Sequence, residues 1–267
     1  MIVAQFDKQK AYVAQEDVFY DDGREIELIH FVYSHPKLEE IRRSPKGVLE
    51  IIDEFARTKK YLMSVGEDKG ATVAKLIAQA KPKIMVELGS YVGYSCILFG
   101  DAFRKAGGTR YYSLERNPEF AAVTTLLVDL AGLSDTVKVI VGPSDTSIKR
   151  LHSSSELSRV DMLFLDHHKP LHLPDLKLCE QLGLIVPGTL VAADNVIKPG
   201  NPPYVDYVRS SLAKKQENLG SWRPDDKVRG DPNLVYESEL IKGFEPSGVP
   251  DGVEVTRCAG RQGGQQG

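Results

Sequence analysis

With 267 residues, 42% of them hydrophobic, and a formal net charge of -3 at pH 7, the chain is long enough to bury a core of its own without a disulfide or metal staple. The near-balanced charge and the lack of a dense basic run exclude the electrostatic footprint that nucleic-acid phosphates demand. No apolar run approaches the ~18 residues of a membrane span. Cys96, Cys179 and Cys258 lack metal-type spacing, and the N-terminus interleaves charge where a signal peptide needs an apolar stretch, so a soluble, cytoplasmic protein in a reducing compartment is expected.

Residues 1–45 are mixed in charge and weakly periodic, and are expected to form an arm ahead of a main domain at 46–258. LEEIRRSPKGVLEIIDEFARTKKYLM has helix-spaced apolar positions interrupted at Ser44, Pro45 and Lys46, and GATVAKLIAQAKP reads as a second helix closed by Pro82. From KIMVELG onward, strands (TRYYSLE, TVKVIVG, VDMLFLD, TLVAAD) alternate with helical segments. Their continuous apolar runs, rather than apolar/polar alternation, predict a parallel sheet covered on both faces, a doubly wound α/β fold. Beyond Asn195 the pattern changes to a Pro-rich loop, a helix and the polar segment ENLGSWRPDDKVRGDPN. LVYESELI and GVEVTRC then predict an antiparallel hairpin at one sheet edge. Residues 259–267, AGRQGGQQG, offer nothing to bury and are expected to be a disordered tail.

Two constellations lie at strand ends, where open α/β sheets bind ligands. The first is VELGSYVGYS with SLERNP: a strand ending at Glu87, a turn at Gly89, a helix after Gly93, and Glu115 placed to accept bonds from two ribose hydroxyls. Tyr91 stands where a dinucleotide fingerprint has its middle glycine, which disfavours a pyrophosphate. A plain glycine turn beside an incidental acid competes with this reading, and these two features alone do not decide between them. The second is DMLFLD with TLVAADN, which presents Asp166, Asp194 and Asn195. Two carboxylates and an amide are hard oxygen donors suited to Mg²⁺; zinc on His167, His168 and His172 is the less favoured alternative, and acids that merely face water the bland one. Lys169 lies three positions after Asp166 and is a candidate general base, although a free lysine titrates near ~10.4 and needs its pKa lowered for that role.

Together with YLMSVGEDKG, VDLAGL, VIVGPSD and VAADNVIKPG, these segments resemble the catechol O-methyltransferase family in order from about residue 47 to 258. The resemblance is to a microbial or fungal type of the family, with residues 1–45 as an N-terminal extension. It implies a Rossmann-like, seven-stranded methyltransferase sheet with its last strand antiparallel, plus N-terminal helices. It also implies S-adenosylmethionine and Mg²⁺ as cofactors, a small catechol as substrate and a monomer or weak homodimer with no nucleic-acid or membrane partner. By resemblance Val65, Glu87, Tyr91, Ser95, Glu115, Ser144, Asp145 and Asp166 belong to the cofactor site. Asp166, Asp194 and Asn195 are implied metal ligands and Lys169 the base. Glu245, or Glu237 if the loop is gapped, meets the second hydroxyl, while Tyr61, Met63 and Pro199 wall the ring. His168 and Tyr61 replace tryptophans of the mammalian enzymes, and Asp145 replaces a glutamine. A related enzyme acting on a caffeoyl-type or secondary-metabolite vicinal diol is therefore the alternative.

Overall fold

A computed structural model of the chain describes residues 6–15, 22–220 and 228–263. The apolar runs become strands β1 (Ile84–Leu88), β2 (Arg110–Glu115), β3 (Val137–Val141), β4 (Val160–Leu165) and β5 (Ile185–Ala193), followed by β6 (Leu234–Phe244) and β7 (Pro250–Arg261). They form one seven-stranded sheet in the order β3-β2-β1-β4-β5-β7-β6. β1 to β5 pair in parallel, and β7 runs antiparallel to both β5 and β6. The chain winds outward from β1 to β3 and then crosses to β4 on the other side of β1. That reversal opens a crevice at the carboxyl ends of β1 and β4, and the functional residues converge there.

Helices α1 (Arg24–Tyr33), α2 (Leu38–Ile41), α3 (Pro45–Thr58), α4 (Gly66–Ala80), α5 (Tyr94–Lys105) and α6 (Pro118–Leu130) precede β3. Later come α7 (Ser144–Ser153), α8 (His172–Gln181), α9 (Pro202–Val208) and α10 (Leu212–Gly220). The break at Ser44-Pro45-Lys46 is a helix start: Ser44 Oγ accepts the Gly47 N–H at 3.1 Å, and Pro45 sits where no N–H is needed. Strand alternation sorts the two cores. Met85, Met162, Phe164, Leu190 and Ala192 face α1 and α3–α6, whereas Val86, Leu88, Leu163, Leu165 and Val191 face α7–α9. Both faces are sealed, as continuous apolar strands require.

Three expectations change. Residues 24–45 are integral to the domain, because Leu28 and Val32 of α1 are fully buried in the core they share with Val48 and Phe55. The single helix expected after the Pro-rich loop is two, α9 and α10. The expected tail begins too early, since β7 runs to Arg261 opposite Leu234 and Gln262 N–H donates to Asn233 O at 2.9 Å. A long β6 needs a partner along its whole length, which draws residues 259–261 into the ladder. Residues 221–227 of the polar segment and 264–267 of the tail lie outside the described residues. Among the described residues no helix is long and apolar enough to cross a membrane.

Candidate active site

The crevice is built first by glycine. After β1 the chain turns at Gly89, where φ is +89° and an added Cβ would lie 2.8 Å from Asp166 O, so the turn after β1 can touch the end of β4 only without a side chain. Tyr91 adopts φ +50° in the same loop, a region a non-glycine residue rarely enters. The loop is held by Glu115 at the end of β2: its Oε2 accepts the N–H groups of Ser90 and Tyr91 at 3.0 Å, and its Oε1 accepts that of Asn117 at 2.8 Å. A carboxylate offers about four lone-pair positions, so a ribose diol has to share Glu115 with the loop it supports. Tyr91 Oη donates to Glu25 Oε1 at 2.7 Å, and Arg24 Nη1 donates to Tyr61 O at 2.7 Å. Val65 caps α4 and Ser95 lies in the first turn of α5, both buried.

Glu87 sits differently from the rest of the expected cofactor set. The period of β1 places it on Met85's face, under α5, fully buried, where Oε2 accepts from Ser113 Oγ at 2.7 Å and Cys96 Sγ at 2.8 Å. Burial pushes its carboxyl up. Ser144 Oγ donates to Asp175 Oδ2, the same atom that lies 2.9 Å from His167 Nε2, so Asp175 ties α7 to the loop after β4. Asp145 is half-exposed and paired with Lys149 at 3.1 Å.

The oxygen donors meet at neighbouring strand ends. Leu165 of β4 is in register with Ala193 of β5, and Asp194 N–H donates to Leu165 O at 2.9 Å, so Asp166 and Asp194 follow strands spaced ~4.8 Å apart. Lys169 Nζ donates to Asp166 Oδ1 at 2.9 Å, and Asn201 Nδ2 anchors Lys169 O at 2.9 Å. Burial, with the nearby charge of Asp194, pushes Asp166 up to about 7 although Lys169 pulls the other way. Asn195 adopts φ +58°, and its Nδ2 donates to Glu245 Oε1 and, at 2.9 Å, to Asp251 Oδ2. Its amide oxygen is thereby the atom left for a ligand. Asp194 Oδ1 is buried with no hydrogen-bond partner. Two carboxylates and an amide oxygen among crowded negative charge are a donor set that fits a hard divalent cation.

Lys69 is the residue sequence reasoning missed. Its ammonium, 1% exposed, lies between three buried acids: it donates to Asp194 Oδ2 at 2.9 Å, Glu245 Oε1 at 2.7 Å and Asp251 Oδ2 at 2.7 Å. It also lies 2.8 Å from Asp194 Oδ1, so that oxygen is ion-paired although it accepts no hydrogen bond. The carboxylate oxygens of Asp194, Glu245 and Asp251 lie within 4.8 Å of one another and form the only metal-capable group of this kind among the described residues. Lys69 already supplies a cation to this group. Glu245 therefore belongs to the cluster, whereas Glu237 is exposed in the middle of β6 opposite Arg257, far along the hairpin.

The zinc alternative gains no support. His167 and His172 stack at 4.9 Å, His167 Nε2 faces Asp175, and His172 Nε2 lies 3.1 Å from His167 O. Burial holds both below the usual histidine range, so they pack as neutral rings while His168 is exposed. Met63 is half-buried, Pro199 exposed and Tyr61 buried.

The acid cluster predicts a pH signature for the metal-free protein. Burial raises the Asp251 carboxyl, but the Lys69 ammonium and its hydrogen bonds outweigh burial and hold it down to about 2. Its folded value lies below the unfolded ~3.9, so it contributes up to about 2 kcal/mol above pH ~4, lost as pH falls towards 2. Glu245 has the opposite sign: burial pushes it up to about 8, so its protonated form favours folding at low pH and that advantage fades as pH rises to 8. In urea titrations Asp251→Asn is expected to flatten the stability loss between pH 4 and 2; an unchanged acid limb would contradict this assignment.

A methyltransferase-domain family model matches residues 86–196. Catechol O-methyltransferase of Bos taurus is 36% identical over 216 residues, covering 80% of this chain and 77% of its own length. The Mus musculus enzyme of that name is 38% identical over 215 residues, covering 80% and 79%. A probable O-methyltransferase of Mycobacterium tuberculosis is 33% identical over 224 residues, covering 82% and 93%. Among solved structures, an O-methyltransferase from Bacillus cereus in complex with SAH aligns with TM-score 0.56 at 18% identity, covering 86% of this chain and 99% of that one; this similarity shows the fold. With relatives above 30% identity aligned along four-fifths of its length, the chain belongs to the catechol O-methyltransferase family and is an O-methyltransferase.

Proposed function

We propose that the enzyme transfers a methyl group from S-adenosylmethionine to one hydroxyl of a catechol, with Mg²⁺ held by Asp166, Asp194 and Asn195. The observation that carries this reading is the placement of Lys169 Nζ 2.9 Å from Asp166, beside two further oxygen donors and next to the Gly89 turn. When bound, Mg²⁺ supplies positive charge that lowers the pKa of an aromatic hydroxyl beside it. Lys169, as the neutral amine, receives the proton at Nζ and becomes the ammonium, its backbone held beside the site by the anchor from Asn201. Glu245, fixed by Lys69 and Asn195, accepts a hydrogen bond from the second hydroxyl. On the cofactor side, Glu115 takes the ribose hydroxyls, and Val65, Tyr91, Ser95, Ser144, Asp145 and Asp166 line the remaining length. Glu87 acts from beneath, bracing the strand end. Oxyanion and sulfonium neutralise each other during transfer, so exclusion of water and close placement favour the step.

The test is mass spectrometry of products from a panel of simple catechols, caffeoyl-type diols and monophenols, with Mg²⁺ and S-adenosylmethionine. Singly methylated vicinal diols are expected, with monophenols at background. Lys169→Met is expected to lower kcat by about 10²–10⁴-fold with S-adenosylhomocysteine affinity nearly unchanged. Equal turnover of monophenols, or an unaffected Lys169→Met, overturns the reading.

A further inference from the structure

The loop between β6 and β7 carries Glu245 and is short. It closes on itself through Glu245 N–H to Val249 O and Gly248 N–H to Glu245 O, both 2.8 Å. From inside it is held by Lys69. From outside it is covered by residues 6–15, which lie wholly in the segment without family resemblance. Phe6 packs on Phe244 with ring centroids 5.6 Å apart and fills the space beside Gly248, where an added Cβ would meet its ring at 2.8 Å. Tyr12 N–H donates to Pro246 O at 2.9 Å, and Ser247 Oγ donates to Gln15 Oε1 at 2.8 Å. Phe244 at the end of β6 and three loop residues beyond Glu245 are thus gripped by the arm.

The same arm is anchored on rigid elements. Tyr12 is 7% exposed, its hydroxyl donates to Asp53 of α3, and its ring meets that of Tyr61 edge-on at 6.2 Å. Val13 N–H donates to Ala56 O at 3.1 Å. Lys10 pairs with Glu67 in the first turn of α4, the helix that bears Lys69. Burying an aromatic ring and two backbone donors is worth more than a frayed terminus can forgo.

We infer that residues 6–15 are a strap, with Tyr12 and Phe6 as positioning residues that hold the Glu245 loop and the Tyr61 wall in register with the substrate hydroxyls. The inference rests on the catechol reading for its kinetic consequence, but not for its structural one. A loop free to move by even 1 Å misplaces Glu245 relative to the proposed metal ligands, which affects substrate binding and orientation while leaving the Glu115 end of the cofactor site, on the far side of β4, intact.

Phe6→Ala and Tyr12→Ala in the full chain test it. Amide exchange at residues 245–249 is expected to accelerate about tenfold or more, with β1 and β4 unchanged. KM for a catechol is expected to rise about tenfold with kcat within a few-fold and S-adenosylhomocysteine affinity unchanged, and Tyr12→Phe, which keeps the ring, to recover most of it. Unchanged exchange at 245–249 overturns the strap. A uniform loss of cofactor affinity, kcat and melting temperature together also overturns it, as a merely structural role. Glu245→Gln serves as the control: if it leaves KM unchanged, the catechol reading of Glu245 fails, while the exchange result still decides the strap.

Discussion

Lys69→Met is expected to destabilise the protein by about 3–5 kcal/mol, the range for removing one partner of a buried ion pair. The methionine matches the lysine's apolar stem, so packing on α4 is kept and only the ammonium is lost. That ammonium is the cation facing Asp194, Glu245 and Asp251, all 3% exposed or less. Without it three carboxylates remain in a medium where unpaired charge is costly. Glu245, already pushed up to about 8, takes up a proton and limits the loss at low pH, so the full effect belongs to alkaline conditions. At pH 8.5 a fall in melting temperature of about 10 °C is expected for a chain of this size. Lys215→Met is the comparison. Its ammonium lies 3.8 Å from the centroid of the Tyr236 ring and bonds Leu234 O at 3.1 Å, and burial holds its pKa down, so removing that charge strands no comparable set of anions. A Lys69→Met protein that melts within about 2 °C of the wild type at pH 8.5 would show that protons alone neutralise the cluster.

The acids at the crevice are legible in the sequence because parallel strands all point their carboxyl ends one way. An acid that directly follows a strand next to the switch point is placed at the crevice, as Asp166 and Asp194 are, whereas Glu87, one position before the end of β1, turns under α5. Glu245 against Glu237 is a matter of hairpin register, which the strings LVYESELI and GVEVTRC leave open and the pairing of Phe244 with Pro250 resolves. Lys69 leaves a readable trace: Lys69, Val73 and Ile77 repeat every four residues on one buried stripe of α4, and a lysine on such a stripe needs a buried anion. Asp251 gave no trace beyond its place before Gly252. The strap is illegible for a different reason. Its contacts are isolated side-chain and backbone pairings with no periodicity, to partners as far away as Ser247 is from Gln15, and such pairings follow from the closed fold rather than from local pattern.

Asp166→Asn separates the metal reading from stability, because the two should move in opposite directions. In the metal-free protein Asp166 is pushed up to about 7 by burial and by Asp194, so its ionised form opposes folding as pH rises from its unfolded ~3.9 through 7. A neutral amide of the same shape removes that cost, against which stands the loss of the 2.9 Å contact with Lys169. At pH 8 in EDTA the variant is expected to melt as high as the wild type or a few degrees higher. Activity goes the other way. Losing one anionic ligand should cut Mg²⁺-dependent methylation by about 10³-fold, roughly 4 kcal/mol of barrier. S-adenosylhomocysteine binding, measured by calorimetry, is expected to stay within about tenfold, since the proposed ribose and adenine contacts, Glu115 and the Ser144 side, are untouched. Adding Mg²⁺ should raise the melting temperature of the wild type and not of the variant, because only a ligand that binds the folded state shifts it. Full wild-type activity in EDTA, or a variant that Mg²⁺ stabilises as well as the wild type, would remove the metal from the mechanism. A variant that loses stability and activity together would instead make Asp166 a structural partner of Lys169.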